Sequence, residues 1–114
     1  MIDSQPVGII RTIPIENEVM HRTIKRLMVI DEGWIYFSLT GKPKIEVLYL
    51  YVITAGRVKY RFNIAGYEPG DSRMCWDGVS RCPRIWAICT APMEAPAPIS
   101  MKGFQGFRYT TLLW

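Results

Sequence analysis

Residues 45–64 read IEVLYLYVITAGRVKYRFNI, and this stretch predicts a β-hairpin around which the rest of the chain has to fold. Val47 to Ile53 is an unbroken apolar and aromatic run, which is typical of a strand buried on both faces. Residues 54–57 supply the turn. In the second strand apolar and polar residues alternate, so we expect one buried face and one exposed face.

The composition fits a single domain that spans residues 1–114. With 49% hydrophobic residues, the chain can bury a core without the help of disulfides. Its longest apolar candidate for a membrane span, residues 45–53, is far shorter than the roughly 20 residues that a membrane helix needs. The first residues lack the basic flank and the apolar run of a secretory signal. We therefore expect a cytoplasmic protein that does not contact a membrane.

The charge balance is mildly basic. Lysine and arginine number 14 against 10 aspartate and glutamate residues, which gives a net charge of +4 and a pI near 9.1. Clustered cations attract phosphate at long range, so this balance favours RNA or DNA as the partner. The alternative is that the charge serves solubility alone.

The cysteines do not predict a metal site. Six residues separate Cys75 from Cys82 and Cys82 from Cys89, whereas zinc ligands come in closely spaced pairs, and His21 is the only histidine. We expect no metal and no cofactor. Free, partly buried thiols are the simpler interpretation, although Cys75 and Cys82 could bridge a loop in a hyperthermophile.

One amphipathic helix is predicted around residues 19–28. Its first turn can be capped by Glu16 or Asn17, and Gly33 can end it. The apolar stripe has helical spacing and consists of Val19, Met20, Thr23, Ile24, Leu27 and Met28.

Further strands are predicted at both ends of the chain. The segment 6–13 is flanked by prolines, which favours a short strand at a sheet edge, and 33–39, 84–90 and 107–112 are the other strands. Residues 66–83 hold two turn signals and predict a long loop, which Met74 and Trp76 could pin. Three prolines in residues 91–99 predict a rigid surface connector.

Three groups of residues suggest contacts with a nucleic acid. Trp34 and Tyr36 share a face of their strand by its period of two, and Arg57, Lys59 and Arg61 are expected to share a face of the hairpin. The closing segment KGFQGFRY, residues 102–109, sets donors beside flat rings, a combination that can stack a base and hold its phosphate. The alternative is that both phenylalanines fill the core and the glycines form a bulge.

The hairpin at 48–64 and the closing KGFQGFRY resemble the PUA-like superfamily, especially its small ASCH and EVE-type members. The resemblance implies an α+β fold, with a mixed β pseudo-barrel of five or six strands and one main helix at its rim. It also implies a positively charged cleft that holds RNA or a modified or flipped base.

The resemblance implies an enzymatic alternative as well. Residues 41–46, GKPKIE, are similar to an ASCH stretch of the type G-x-K-x-[IV]-E-x-R, but Leu48 stands where the arginine would be. A small amidohydrolase acting on a modified nucleoside would then use Lys44 and Glu46. A third possibility is a protein-interaction module that uses exposed aromatics in residues 74–86 as an anchor.

The sequence favours a nucleic-acid-binding module over an enzyme. RNA and DNA both stay open as partners, and the oligomeric state stays open, with a homodimer as one possibility. The predicted nucleic-acid contacts are Trp34, Tyr36, Arg57, Lys59, Arg61, Lys102, Phe104, Gln105 and Arg108.

Overall fold

The computed structural model describes residues 6–12, 22, 26, 34–54, 56–74, 80–104 and 106–111. Of the predicted helix, only Arg22 and Arg26 belong to these residues, and both have helical backbone. The rest of that helix prediction lies outside the described residues. A helix with defined bounds is not seen in the described ranges, where the regular structure consists of strands.

Six strands form one mixed sheet. They are β1 (Gly8–Thr12), β2 (Ile35–Leu39), β3 (Tyr49–Thr54), β4 (Arg57–Pro69), β7 (Ile85–Ser100) and β8 (Phe107–Thr110). Their order across the sheet is β2-β7-β4-β3-β1-β8. The pairing of β1 with β3 is parallel and the other pairings are antiparallel. A separate two-stranded ribbon consists of β5 (Arg73–Met74) and β6 (Ser80–Arg81).

The predicted hairpin is confirmed as β3 and β4. In β3 the four residues Leu50 to Ile53 are buried, as expected for a strand that packs on both faces. In β4 the alternating residues Val58, Tyr60 and Phe62 are buried as well. The hairpin therefore holds the centre of the sheet, because one neighbour pairs with each of its outer sides.

A bulge changes which side chains share a face of β4. Val52 pairs with Tyr60 but the next residue, Ile53, pairs with Val58, so Lys59 is an extra residue on β4. After the bulge the alternation is reversed. Consequently Tyr60 packs on the inner face of the sheet while Val58 packs on the outer face.

The sheet has a hydrophobic cluster on each face. The larger, inner cluster joins residues of β1, β2, β3, β4 and β7, and includes the edge-to-face pair Phe37 and Phe62, whose ring centroids are 5.1 Å apart. The smaller, outer cluster consists of Ile10, Tyr51, Ile53 and Val58.

The sheet curls into a half-barrel. In the strand order β1 and β2 are four spacings apart, which in a flat sheet would be about 19 Å. Yet Arg11 Nη2 on β1 donates a hydrogen bond of 2.9 Å to Ser38 Oγ on β2. Ile9 of β1 and Phe37 of β2 also belong to the same inner cluster. The prediction of a β-barrel-like mixed sheet of five or six strands is thereby confirmed, whereas the main helix predicted at its rim is not seen in the described residues.

Two predictions about strand placement were wrong. β1 is not an edge strand, because it lies between β3 and β8. The proline-containing segment 91–99 is not a connector but the second half of β7, where it pairs with β4. The prolines are compatible with a strand because they fall within two interruptions of this pairing, where β7 has more residues than its partner strand and the regular ladder is broken.

The interruptions can be read from the pairing register. Thr90 pairs with Asn63 and Met93 with Arg61, so Ala91 and Pro92 are bulged out, and Ala91 has a positive φ of 51°. A second interruption covers residues 95–98, which include Pro96 and Pro98.

The segment 66–83 is also more regular than the predicted loop. β4 continues to Pro69, and the β5–β6 ribbon follows. Hydrogen bonds from Arg73 hold this segment together: its Nε donates to Asp71 Oδ1 at 2.6 Å, and its Nη2 donates to Glu68 Oε2 at 3.2 Å. Trp86 Nε1 donates to the same Asp71 carboxylate at 3.1 Å. Trp76 lies outside the described residues.

Candidate functional site

A cavity of about 420 Å³ lies where the curled sheet brings β1 toward β2. Its walls come from the ends of these strands, from the segment that precedes β7 and from the segment that precedes β8. The described residues that line it are Arg11, Thr12, Ser38, Leu39, Thr40, Pro83, Arg84, Phe104, Gly106 and Phe107. We refer to it as the first cavity.

The first cavity is basic. Among the residues that line it, the two charged ones are Arg11 and Arg84. Arg11 is held by its hydrogen bond to Ser38 and lies with its guanidinium carbon 6.0 Å from the centre of the Phe37 ring. Arg84 is exposed at the rim. An anion that enters this cavity therefore meets two cations, of which Arg11 is held by a hydrogen bond and Arg84 is exposed.

Local contacts place Phe104 in the wall. The Phe104 N–H donates to Thr12 Oγ1 at 3.0 Å, and a Cβ added to Gly103 would lie 2.8 Å from the Thr12 Cγ2. Glycine is needed there because the closing segment passes so close to β1. Gly106, with a φ of 72°, then turns the chain into β8.

The closing segment also forms a stack of a ring and a cation. The guanidinium carbon of Arg108 lies 4.2 Å from the centre of the Phe104 ring. Phe104 is half-buried and packs on the outer cluster, and it also lines the first cavity.

A second cavity of about 550 Å³ lies beyond the loop that follows β2. It is lined by Lys42, Pro43, Lys44, Ile45, Glu46, Val47 and Tyr67. Lys44 and Glu46, the candidates for amidohydrolase chemistry, thus line the same cavity, and both side chains are exposed.

One tyrosine lines the second cavity, and another contacts the backbone of a lining residue. The Lys42 Nζ lies 5.6 Å from the centre of the Tyr67 ring, and the Lys44 N–H donates to the Tyr109 hydroxyl at 2.7 Å. Burial, with the nearby Cys89 and Tyr109, raises the pKa of the Tyr67 phenol. The phenol therefore keeps its proton at neutral pH and can donate a hydrogen bond.

Trp34 and Tyr36 lie away from both cavities. They are 60% and 39% exposed, on the outward side of β2. The Arg73 guanidinium carbon lies 4.7 Å from the centre of the Tyr36 ring, and Tyr36 packs edge-on against Trp86. Trp86 is buried, so it is not available as the exposed anchor that a protein-interaction module would use.

The three hairpin cations do not share a face. Because of the bulge at Lys59, Arg61 points to the outer face beside Tyr49, with its guanidinium carbon 4.5 Å from that ring's centre. Arg57 pairs with Thr54, whose side chain has the opposite orientation to that of Ile53. The prediction of one cationic face is therefore wrong, and none of the three lines either cavity.

The structure thus brings together only some of the residues that were predicted to contact a nucleic acid. Phe104 lines the first cavity and Arg108 stacks on its ring, but Arg108 is not part of the lining. Lys102 is exposed, and Gln105 lies outside the described residues. Sequence reasoning missed Arg11 and Arg84. The local pattern around Arg84 gave no signal, since its role depends on how the curl brings distant segments together.

Neither cavity has the ligands of a metal site. No group of three or more histidine, cysteine, aspartate or glutamate side chains able to hold a metal ion occurs among the described residues. Cys82 and Cys89 are free thiols, the first exposed and the second buried in the inner cluster. Burial raises the pKa of the Cys89 thiol.

Comparisons of the chain with family models, with curated proteins and with solved structures find no match. The PUA-like resemblance stays a prediction that rests on the hairpin and the closing segment. Within the described residues, no helix has the length and apolar character needed to cross a bilayer.

Proposed function

We propose that this protein is a nucleic-acid-binding module and that an unpaired nucleotide occupies the first cavity. The base would lie against the Phe104 ring, while Arg11 and Arg84 would bind the adjoining phosphate. Arg108, stacked on Phe104, would add charge at the entrance. This site differs from the predicted one in its cations but retains its closing segment.

The observation that carries the proposal is the combination of rings and cations in one concave site. Pockets of about 300–1,000 Å³ are the size that holds small organic ligands, and the first cavity, at about 420 Å³, falls in that range. Two arginines and two phenylalanines line it. Proteins that bind unpaired nucleotides combine these same elements, namely flat rings for bases and cations for phosphates.

A cavity of this kind selects against an intact duplex. A stacked base pair keeps its flat faces inside the helix, so a ring in a concave site can reach a base only when that base is unpaired or flipped out. Single-stranded RNA or DNA should therefore bind more tightly than the matching duplex.

The test is the affinity for short single-stranded and duplex RNA and DNA, measured by fluorescence anisotropy at two ionic strengths. Arg84→Ala should weaken single-strand binding about tenfold and reduce the salt slope by about one, because one phosphate contact is lost. The matched control is Arg26→Ala, which removes the same charge from an exposed side chain that lines neither cavity. It should change affinity by less than about twofold.

Two outcomes would count against the proposal. The first is binding that does not change between low and moderate salt. The second is an equal loss of affinity in both variants, since this would indicate a diffuse charge effect. Turnover of an amide-bearing nucleoside that is lost in Glu46→Gln would instead favour the amidohydrolase alternative.

A further inference from the structure

The linings of the two cavities come within two residues of each other along the chain. Leu39 and Thr40 line the first cavity and Lys42 lines the second, so only one residue of chain separates the two linings along this loop. Two residues span at most about 7 Å of extended chain. A ligand could therefore reach from one cavity to the other over a short distance.

A pair of aromatic rings also connects the linings of the two cavities. Phe107 lines the first cavity, and its ring packs edge-on against that of Tyr109 with 5.7 Å between the centroids. The Tyr109 hydroxyl accepts the hydrogen bond from the Lys44 N–H, and Lys44 lines the second cavity. The rings of Phe107 and Tyr109 thus connect the lining of the first cavity with that of the second.

The second cavity offers a set of groups that suits a nucleotide. Lys42 and Lys44 carry positive charge, and Tyr67 offers a ring and a hydroxyl that stays protonated. Glu46 is the one acidic residue in this lining and can accept hydrogen bonds from amino or hydroxyl groups of a base or sugar.

We infer that consecutive nucleotides of one strand occupy the two cavities, with the phosphate between them held near Lys42 and Lys44. This inference rests on the proposed function and narrows its ligand class to a single strand of at least two nucleotides. The edge of the Tyr109 ring and the loop 40–42 would form the ridge that the strand crosses.

The geometry favours a strand over two separate ligands. Both cavities take part of their lining from the loop that follows β2, and both are basic. An extended polyanion gains from both sets of cations, whereas a mononucleotide can use only one set. The inference is therefore tested by the increase in affinity when a second nucleotide is added to the first.

The experiment titrates the full chain with RNA and DNA of one, two, three and six nucleotides, with mixed bases at every position, by isothermal titration calorimetry near 0.15 M salt. At this ionic strength charges more than about 8 Å apart are largely screened. We expect affinity to rise at least tenfold from one nucleotide to two and to change less between three and six.

The variant Lys42→Ala/Lys44→Ala should remove this gain in affinity, so that it weakens the binding of two nucleotides more than the binding of one. Arg22→Ala/Arg26→Ala removes the same charge from exposed positions outside both cavities and should retain the gain. Thermal unfolding of both variants checks that the fold is intact.

Failure of the inference differs from failure of the proposed function. If single nucleotides and longer strands bind equally well, or if the lysine variant weakens them equally, the second cavity does not hold the next nucleotide. If nucleic acid of no length binds, the proposed function itself is overturned.

Discussion

Two segments of the chain approach each other closely at Gly70, where the end of β4 meets the residues that precede β7. It lies just after β4, where a side chain would overlap the carbonyl oxygen of Pro83. Pro83 belongs to the wall of the first cavity, so this contact helps to position Arg84 as well. The absence of a side chain at one residue thereby affects the geometry of the first cavity.

Gly70→Ala should therefore destabilise the protein by about 2 kcal/mol or more, because a backbone atom has to move to admit the methyl group. Urea unfolding at pH 7 measures the change. Gly66→Ala is the control: no heavy atom lies within 4 Å of the added carbon, and its φ is not positive. Equal losses in the two variants would contradict the packing argument.

Asp71 predicts how stability depends on pH. The hydrogen bond from Arg73 lowers the pKa of this carboxyl below its ordinary value of 3.8, and Trp86 adds a further hydrogen bond. A lowered pKa means that the folded state favours the charged form. The stabilisation is therefore fully present above about pH 4 and is lost as pH falls through the lower folded-state pKa.

Asp71→Asn should lower the melting temperature at pH 7, and the deficit should shrink as the pH is taken below about 4. Differential scanning calorimetry between pH 2.5 and 7 follows this difference. Glu46→Gln removes an equal charge from another exposed side chain and serves as the control. A deficit in Asp71→Asn that stays constant over the whole pH range would show that charge is not the cause.

At the scale of elements, β7 differs most from its prediction. Prolines in residues 91–99 were read as excluding a strand in the body of a sheet, and the local sequence supports that interpretation. The reason it failed is non-local: on its other side β7 pairs with β2 only from Ile85 to Cys89, and bulges against β4 accommodate the prolines. Whether a proline interrupts the hydrogen-bond ladder of a sheet depends on how the partner strand pairs at that position.

The first of these bulges predicts a stabilising substitution. Ala91 has a φ of 51°, a conformation that costs a residue with a side chain about 1–2 kcal/mol but costs glycine little. After subtraction of the larger entropy that glycine loses on folding, Ala91→Gly should stabilise the protein by about 0.5 kcal/mol, as measured by urea unfolding.

The control for this substitution is Ala65→Gly. Ala65 is exposed on β4 and has no positive φ, so the same change should destabilise by about 0.5–1 kcal/mol. We therefore predict that the two substitutions change the free energy of unfolding in opposite directions. A loss of stability in Ala91→Gly as large as in Ala65→Gly would show that the backbone at Ala91 is not strained.

The hairpin, in contrast, was predictable because its signals are local. An apolar run, a turn and an alternating strand lie next to each other in sequence, and each specifies the same register. The bulge at Lys59 was not predictable, since Val58 and Tyr60 are both apolar and suit either face. That one extra residue separated Arg57 and Arg61, which the alternation had placed together.

At the scale of the whole molecule, the candidate site depends on the curl. Arg11 and Arg84 lie on distant segments, and only the approach of β1 to β2 brings them to one cavity. Sequence patterns within single strands carry no information about this approach. The closing segment could be recognised because its glycines, rings and cations are adjacent in the chain, as Phe104 and Arg108 illustrate.

The three prolines of β7 also bear on association between copies of the chain. A proline lacks the N–H group that a neighbouring strand would need, so Pro92, Pro96 and Pro98 make the second half of β7 a poor template for fibril growth. Natural sheets use such residues to discourage amyloid-like stacking. This half of β7 can thus lie in the sheet without offering another chain a continuous edge to extend.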